Sequence, residues 1–374
     1  MSNTYGKHLT LTLFGESHGP AIGAILDGMP GGVTIDEEFI ASVMEKRKAK
    51  GSISTPRKEA DKVRFLSGVK NGHSEGSPVT IMIENTNVHS SDYSSLSFTP
   101  RPGHADYAAH IKYNGYEDAS GGGHFSGRLT APIVACGAIA LSMLQEKGIY
   151  IGTHIQSLHG IQDASFDESH LLEQVQSLFE KEFPVIDDEQ GKVMTLEIEK
   201  AKANLDSVGG ILDTCVVGLP AGIGEPAFDS LESGLAHGLF SIPAVKGVEF
   251  GEGFNLANMY GSEANDAFRM KDGQVVTMTN HNGGINGGIS NGMPIRFKTV
   301  VKPTPSIAKL QKSIDYVTKQ DTDIEIKGRH DPSIIHRARI VVDCVTALTL
   351  VDYLMERYGR EYFGKEIING GKEK

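Results

Sequence analysis

Two stretches of this chain have to be buried, and they limit what the rest can be. Residues 131–147, with IVACGAIALSML at 133–144, and residues 339–357, with IVVDCVTALTLV at 340–351, read as helices whose central runs carry a single charged side chain, Asp343. A helix that is apolar around most of its circumference is covered on most faces. The covering elements available are strands, expected at 9–14, 63–69, 79–84, 149–158, 210–217, 244–250 and 295–300. Helix layers covered by strands favour one α+β or layered β-α-β domain. The two apolar helices look alike and each follows a turn bearing Gly, Arg, His or Asp, which suggests an internal duplication. No low-complexity linker or break in composition divides the chain, so residues 1–374 are read as one domain.

Other segments are amphipathic. The pattern predicts helices at 35–50, 167–183, 198–208 and 226–240. Residues 90–100 are a Ser-rich polar loop, 251–270 a long Gly/Asn-rich loop, and 320–327 a short acidic segment.

The formal charge is −11, from 36 basic and 47 acidic residues. That argues against general binding to nucleic acid or a membrane surface, though not against a local basic pocket. Cys136, Cys215 and Cys344 have no CxxC spacing and sit in apolar segments, so they read as core residues. The N-terminal segment does not have the form of a signal peptide, and no apolar run is read as long enough to span a bilayer, which makes the cytoplasm the expected compartment. GxxxxGK[ST], HExxH and GxSxG are absent, and the histidines are not spaced as a metal cluster. Residues 222–227 approach a GxGxxA fingerprint, but Pro226 lies inside it and no βαβ context surrounds it.

What recurs is a glycine-rich turn carrying His, Arg or Asp. It appears at 15–19 (GESHG), 101–106 (RPGHAD), 121–128 (GGGHFSGR), 280–292 and 328–333. Glycines before a helix bring backbone N–H groups and the positive helix end near an anion. Arg128 adds a forked cation. His18 and His104 add groups that exchange protons near neutral pH, although His18 taken alone reads more readily as a turn histidine. The combination suits an enzyme that handles a phosphorylated, carboxylated substrate beside a phosphate-bearing cofactor.

In this order the five motifs resemble chorismate synthase. GESHG matches the family's first signature, RPGHADY followed by KY its second, and GGGHFSGRLT aligns with the commoner RGGGRSSARET. GGISNG and KPTPS match the flavin-side segments, and RHDP before a long helix matches the C-terminal signature. The likeness covers essentially the whole chain, with no added flavin-reductase domain.

The resemblance implies conversion of 5-enolpyruvylshikimate 3-phosphate to chorismate and phosphate, the last step of the shikimate pathway. That reaction is a 1,4-anti-elimination that requires reduced FMN without net redox change. The resemblance also implies a single large β-α-β sandwich fold, a homotetramer with flavin sites near subunit contacts, and a separate flavin reductase, with NADP, as electron source. By position, His18 would control protonation of the reduced flavin. His104 would protonate the leaving phosphate, and Asp331 would help the flavin N5 remove the C6 proton. Arg47, Arg128 and Arg329 would bind substrate anions. Ser126, Arg128, Asn282, Gly283, Gly284, Lys302, Ser306 and Arg329 would lie along the FMN. No metal is implied.

The chain departs from the family pattern at several positions. Lys48, Ala49 and Lys50 stand in a segment that is often richer in arginine. Ser120 and His124 replace arginines around the glycine run, and Asp343 stands where glutamate is usual. His124 either takes over part of an anion-binding role or packs. Two rivals remain at this level. An ordinary flavin oxidoreductase would show net reduction of a substrate, and a non-enzymatic phospho-ligand binder would not need His18, His104 and Asp331 together.

Overall fold

The computed structural model describes residues 3–54, 60–86, 99–118, 120–326 and 330–365. Two five-stranded antiparallel sheets face one another across a helical layer. The first sheet runs in the order Thr4–Tyr5, Thr10–Gly15, Ala21–Asp27, Val79–Glu84, Val63–Ser67. The second runs Ile161–Gln162, Tyr150–Leu158, Gly210–Val217, Ile295–Val301, Val245–Phe250. Between them lie the two apolar helices, Thr130–Gln145 and Ile335–Tyr358. The first packs on strands of the first sheet, the second on Tyr150–Leu158 and Gly210–Val217, and the two pack on each other. This is the α+β, β-α-β layering expected from the sequence. Residues 4–145 supply the first sheet and one core helix, and residues 150–358 the second sheet and the other.

The helix contact depends on a missing side chain. A Cβ on Gly137 would overlap Cβ of Cys344. Glycine within a helix costs about 1 kcal/mol relative to alanine, and here it lets two buried helices approach. One apolar cluster runs from Leu9 to Phe363 through both sheets and both helices. All three cysteines are buried and unpaired, and burial pushes the thiols of Cys136 and Cys215 up to about 12.

Several elements differ from the sequence reading. Strand Ala21–Asp27 was not anticipated, because Gly23 interrupts its pattern. That glycine is required, since a Cβ there would strike the ring of Phe14 and the carbonyl of Ile81. The helix expected at 198–208 runs instead over Asp188–Ala203. Asp187 caps it by accepting from the Glu189 N–H, and Leu205 at φ +57 lies beyond its end. The helix expected at 167–183 is trimmed to Leu171–Glu180, and the one at 226–240 to Leu231–Phe240 behind a Ser230 cap. The 251–270 loop holds short helical turns, and its end, Phe268–Lys271, forms a hairpin with Gln274–Thr277. The acidic segment is strand Gln320–Glu325, paired with Leu310–Asp315. The polar loop at 90–100 falls mostly outside the described residues. Finally, Gly127–Gln145 is long and apolar enough to cross a bilayer by length and composition, contrary to the sequence reading. It is mostly buried inside the fold as a core helix.

Candidate active site

The glycine run seats two histidines. Gly121, Gly122 and Gly123 take φ +59, +89 and +52, a path that side-chain-bearing residues avoid. Gly121 lies against His18, where a Cβ would overlap Cε1 and Nδ1 of the ring. Gly122 lies against His104, where a Cβ would sit 3.2 Å from Cε1 and 3.4 Å from Nε2. Consecutive glycines thus place the two candidate acids beside one turn. Ser17 fixes the first of them. Its N–H donates to the Gly123 carbonyl at 3.2 Å, and its Oγ is 2.9 Å from His18 Nδ1.

His104 is oriented by a carboxylate. Its Nδ1 lies 2.6 Å from Asp106 Oδ1, which assigns the proton to Nδ1 and turns Nε2 toward Gly122. Asp106 opens the helix Asp106–Lys112 and accepts from Arg101 through Nε and Nη2, both at 2.7 Å. Burial pushes this carboxyl up, but the hydrogen bonds from Arg101 and His104 outweigh it. They hold Asp106 well below the usual carboxylate range.

The cations form a second cluster. Arg128 sits in the turn Gly127–Leu129, capped by Ser126, whose Oγ accepts from the Arg128 N–H at 3.2 Å. Arg128 Nε donates to Asn85 Oδ1 at 3.1 Å, and Nη1 pairs with Asp61. Arg47, buried at the end of helix Glu37–Arg47, reaches the other oxygen of Asp61 at 3.2 Å. Arg337 donates through Nε to the Arg47 carbonyl and through Nη1 to Asp331 Oδ2, both at 2.9 Å. Asp331 is therefore tied to the same cluster as Arg47 and Arg128. Arg329 lies outside the described residues.

The residues expected along the cofactor fall into two groups. Lys302 Nζ donates to the Gly103 carbonyl at 2.5 Å, which sets the 302–306 segment, Ser306 included, beside the His104 turn. Ser126 lines a cavity of about 530 Å³ together with Phe14, Tyr113, His124 and Pro243. Asn282, Gly283 and Gly284 lie elsewhere. Asp266 accepts from the Asn282 N–H and Nδ2, and Arg296 N–H donates to the Gly283 carbonyl. That turn is at the start of strand Ile295–Val301, and Lys302 follows its end. Seven strand residues separate the two groups by roughly 20 Å. The His124 ring lies 4.3 Å from that of Phe125, its Nε2 is 3.2 Å from Tyr113 Oη, and it also lines the cavity, so both readings of it stand. Among the described residues no group of three or more His, Cys, Asp or Glu is placed to hold a metal ion.

Sequence reasoning missed Asp61, Asn85, Arg101 and Arg337 as site residues. Arg337 had a usable signal, since it stands six positions after Asp331 at the start of a core helix. Asp61, in a run of ordinary charged residues (KEADK), had none.

A β-α-β fold with paired imidazoles beside buried guanidinium–carboxylate pairs has the makings of an enzyme acting on a charged small molecule. The comparisons with known proteins then supply the family. A model of the family described as chorismate synthase matches residues 9–355. The chorismate synthase of Pyrococcus abyssi is 44% identical over 94% of this chain and 97% of its own length. That of Methanobrevibacter smithii is 45% identical over 95% and 97%. A crystal structure of chorismate synthase superposes with a TM-score of 0.75 at 28% identity, covering 95% of this chain and 94% of the other. This chain belongs to the chorismate synthase family, and it is an enzyme, a lyase.

Proposed function

We propose that the enzyme removes phosphate and a proton from 5-enolpyruvylshikimate 3-phosphate in a 1,4-anti-elimination, giving chorismate, with reduced FMN required and no net redox change. The observation that carries this reading is the seating of His18 and His104 on the adjacent glycines Gly121 and Gly122, one residue run before Arg128. Two proton-bearing groups and a buried cation at one turn suit departure of a phosphate.

The residues also suit FMN. The cavity that Ser126 lines has the volume of a small-molecule site, and Arg128, Lys302 and Ser306 lie outside its lining. Ser126, Arg128, Lys302, Ser306 and Arg329 would hold the cofactor. When bound, reduced FMN would supply the electron density demanded as the phosphate departs. The protein's own work is positional and electrostatic. Arg47, Arg128 and Arg329 bind the anions and hold the ring in register. His104, oriented by Asp106, protonates the leaving phosphate from Nε2. His18 sets the protonation state around the cofactor, and Asp331, held by Arg337, takes part in removal of the C6 proton.

The turn of Asn282, Gly283 and Gly284 lies at the opposite end of strand Ile295–Val301 from Lys302. That supports a homotetramer in which this turn serves a neighbouring copy's flavin. We read residues 1–374 as one functional domain working in the cytoplasm, with a separate reductase, linked to NADP, recharging the flavin. The site is one for a small molecule, not for nucleic acid or a membrane.

The test is an anaerobic mixture of enzyme, reduced FMN and excess substrate, followed by chorismate absorbance and the flavin spectrum. Many turnovers per reduced FMN, with the flavin reduced at the end and no turnover with oxidised FMN, is the expected result. Flavin oxidation in proportion to product would favour the oxidoreductase instead.

A further inference from the structure

Asp61 lies where a ligand anion would lie. Its side chain is only 1% exposed, and its two oxygens are taken by two different arginines, Oδ2 by Arg47 and Oδ1 by Arg128. A phosphate or carboxylate bridging the same guanidiniums would use the same donors. The Asp61 backbone is held at φ +47, a left-handed value uncommon for a residue with a side chain. The conformation that puts this carboxylate between the arginines is therefore one the chain does not adopt for free. Arg128 keeps a second anchor on Asn85, and the Arg47 backbone is tied to Arg337. Both arginines would thus remain partly held if the carboxylate withdrew.

We propose that Asp61 is a built-in stand-in for a substrate anion. It keeps Arg47 and Arg128 poised before substrate binds, and it gives up one or both guanidiniums when a phosphate or carboxylate arrives. The inference rests on the reading of Arg47 and Arg128 as substrate anchors. Its consequence is internal competition: the apparent affinity for the anion is reduced by the fraction of molecules in which Asp61 holds the arginines. The same competition favours release of product phosphate, because the returning carboxylate re-pairs the cations.

The experiment titrates wild type, Asp61→Asn and the double variant Asp61→Asn/Arg128→Ala by calorimetry without flavin, once with inorganic phosphate and once with 5-enolpyruvylshikimate 3-phosphate. The asparagine keeps the shape and loses the charge. It is expected to bind phosphate at least about fivefold more tightly than wild type, a gain the double variant loses. Equal or weaker phosphate binding by a folded Asp61→Asn protein would overturn the proposal and make Asp61 a fixed structural tie. If Asp61→Asn does not fold, Asp61→Ala decides by thermal melting. Phosphate must raise its melting temperature more than it raises that of wild type, and an equal or smaller rise overturns the proposal. The two titrants keep the readings apart. Wild type that binds phosphate but not the enolpyruvyl substrate refutes the substrate assignment, and the phosphate comparison still judges Asp61.

Discussion

Gly121 and His18 share a space that one added methyl group would fill: a Cβ on Gly121 would overlap Cε1 and Nδ1 of the imidazole. The backbone of Gly121, at φ +59, would resist a side chain as well. Gly121→Ala is therefore expected to cost about 1–3 kcal/mol of stability. It should lower turnover on the order of a hundredfold, as displacement of a reacting group by about 1 Å does. Adding His18→Ala should recover part of the stability and none of the turnover. Melting temperatures that simply add across this double-mutant cycle would show that the ring contact is not the cause.

Asp106 should matter almost as much as the histidine it holds. Its carboxylate stays ionised because Arg101 and His104 both donate to it, and it fixes the proton on His104 Nδ1. Asp106→Asn leaves the shape but offers an amide that can hold the wrong tautomer. Turnover is expected to fall about 10²–10⁴-fold, the range for loss of a working general acid, with flavin affinity within a factor of about two. Near-normal turnover would remove Asp106 from the role of orienting His104.

The sequence disclosed the layers before the details. Two helices with apolar residues on every face could only lie inside, so sheets had to cover them, and Thr130–Gln145 and Ile335–Tyr358 do lie between two sheets. The histidines were legible because each stands in a short motif with glycine. What the glycines of 121–123 do was not legible, because steric fit against His18 and His104 depends on contacts across the fold. Asp61 was invisible for a related reason. Its meaning comes from Arg47 and Arg128, which are 14 and 67 positions away. The helix at Asp188–Ala203 was misplaced because its start signal, Asp187, was passed over for an apolar pattern further on.

Arg337 links Asp331, proposed to take part in proton removal, to Arg47, proposed to bind a substrate anion. Its Nε holds the Arg47 carbonyl and its Nη1 holds Asp331. Lysine carries the charge but cannot span both acceptors. A lost hydrogen bond to a charged group is worth about 1.5–3 kcal/mol, so Arg337→Lys should lower kcat/KM about ten- to a hundredfold. Both kcat and KM should change, since both Asp331 and Arg47 are loosened. A change confined to melting temperature would make Arg337 a purely structural residue.

His336, one position before that arginine, should give the protein an acid-sensitive stability. It is buried, with Nε2 2.8 Å from Ser54 Oγ. Burial first, and then the neighbouring Arg337 charge, push its imidazole from 6.5 down to about 4, against a smaller opposing effect of Asp331. Between these values the unfolded chain binds a proton that the folded protein refuses, so stability falls as the pH is lowered through that window. The contribution is fully present above pH 6.5. It has dropped by about 2 kcal/mol at pH 5 and by about 3 kcal/mol near pH 4, and levels off below about pH 3. His336→Gln keeps a partner for Ser54 and removes the titration. Urea unfolding of both proteins at pH 7, 6 and 5 measures the difference. The wild-type curve should lose stability faster than the variant's on acidification, so that the gap between them narrows or reverses by about 2 kcal/mol at pH 5. Two curves that fall in parallel would mean that His336 is not kept neutral by the fold.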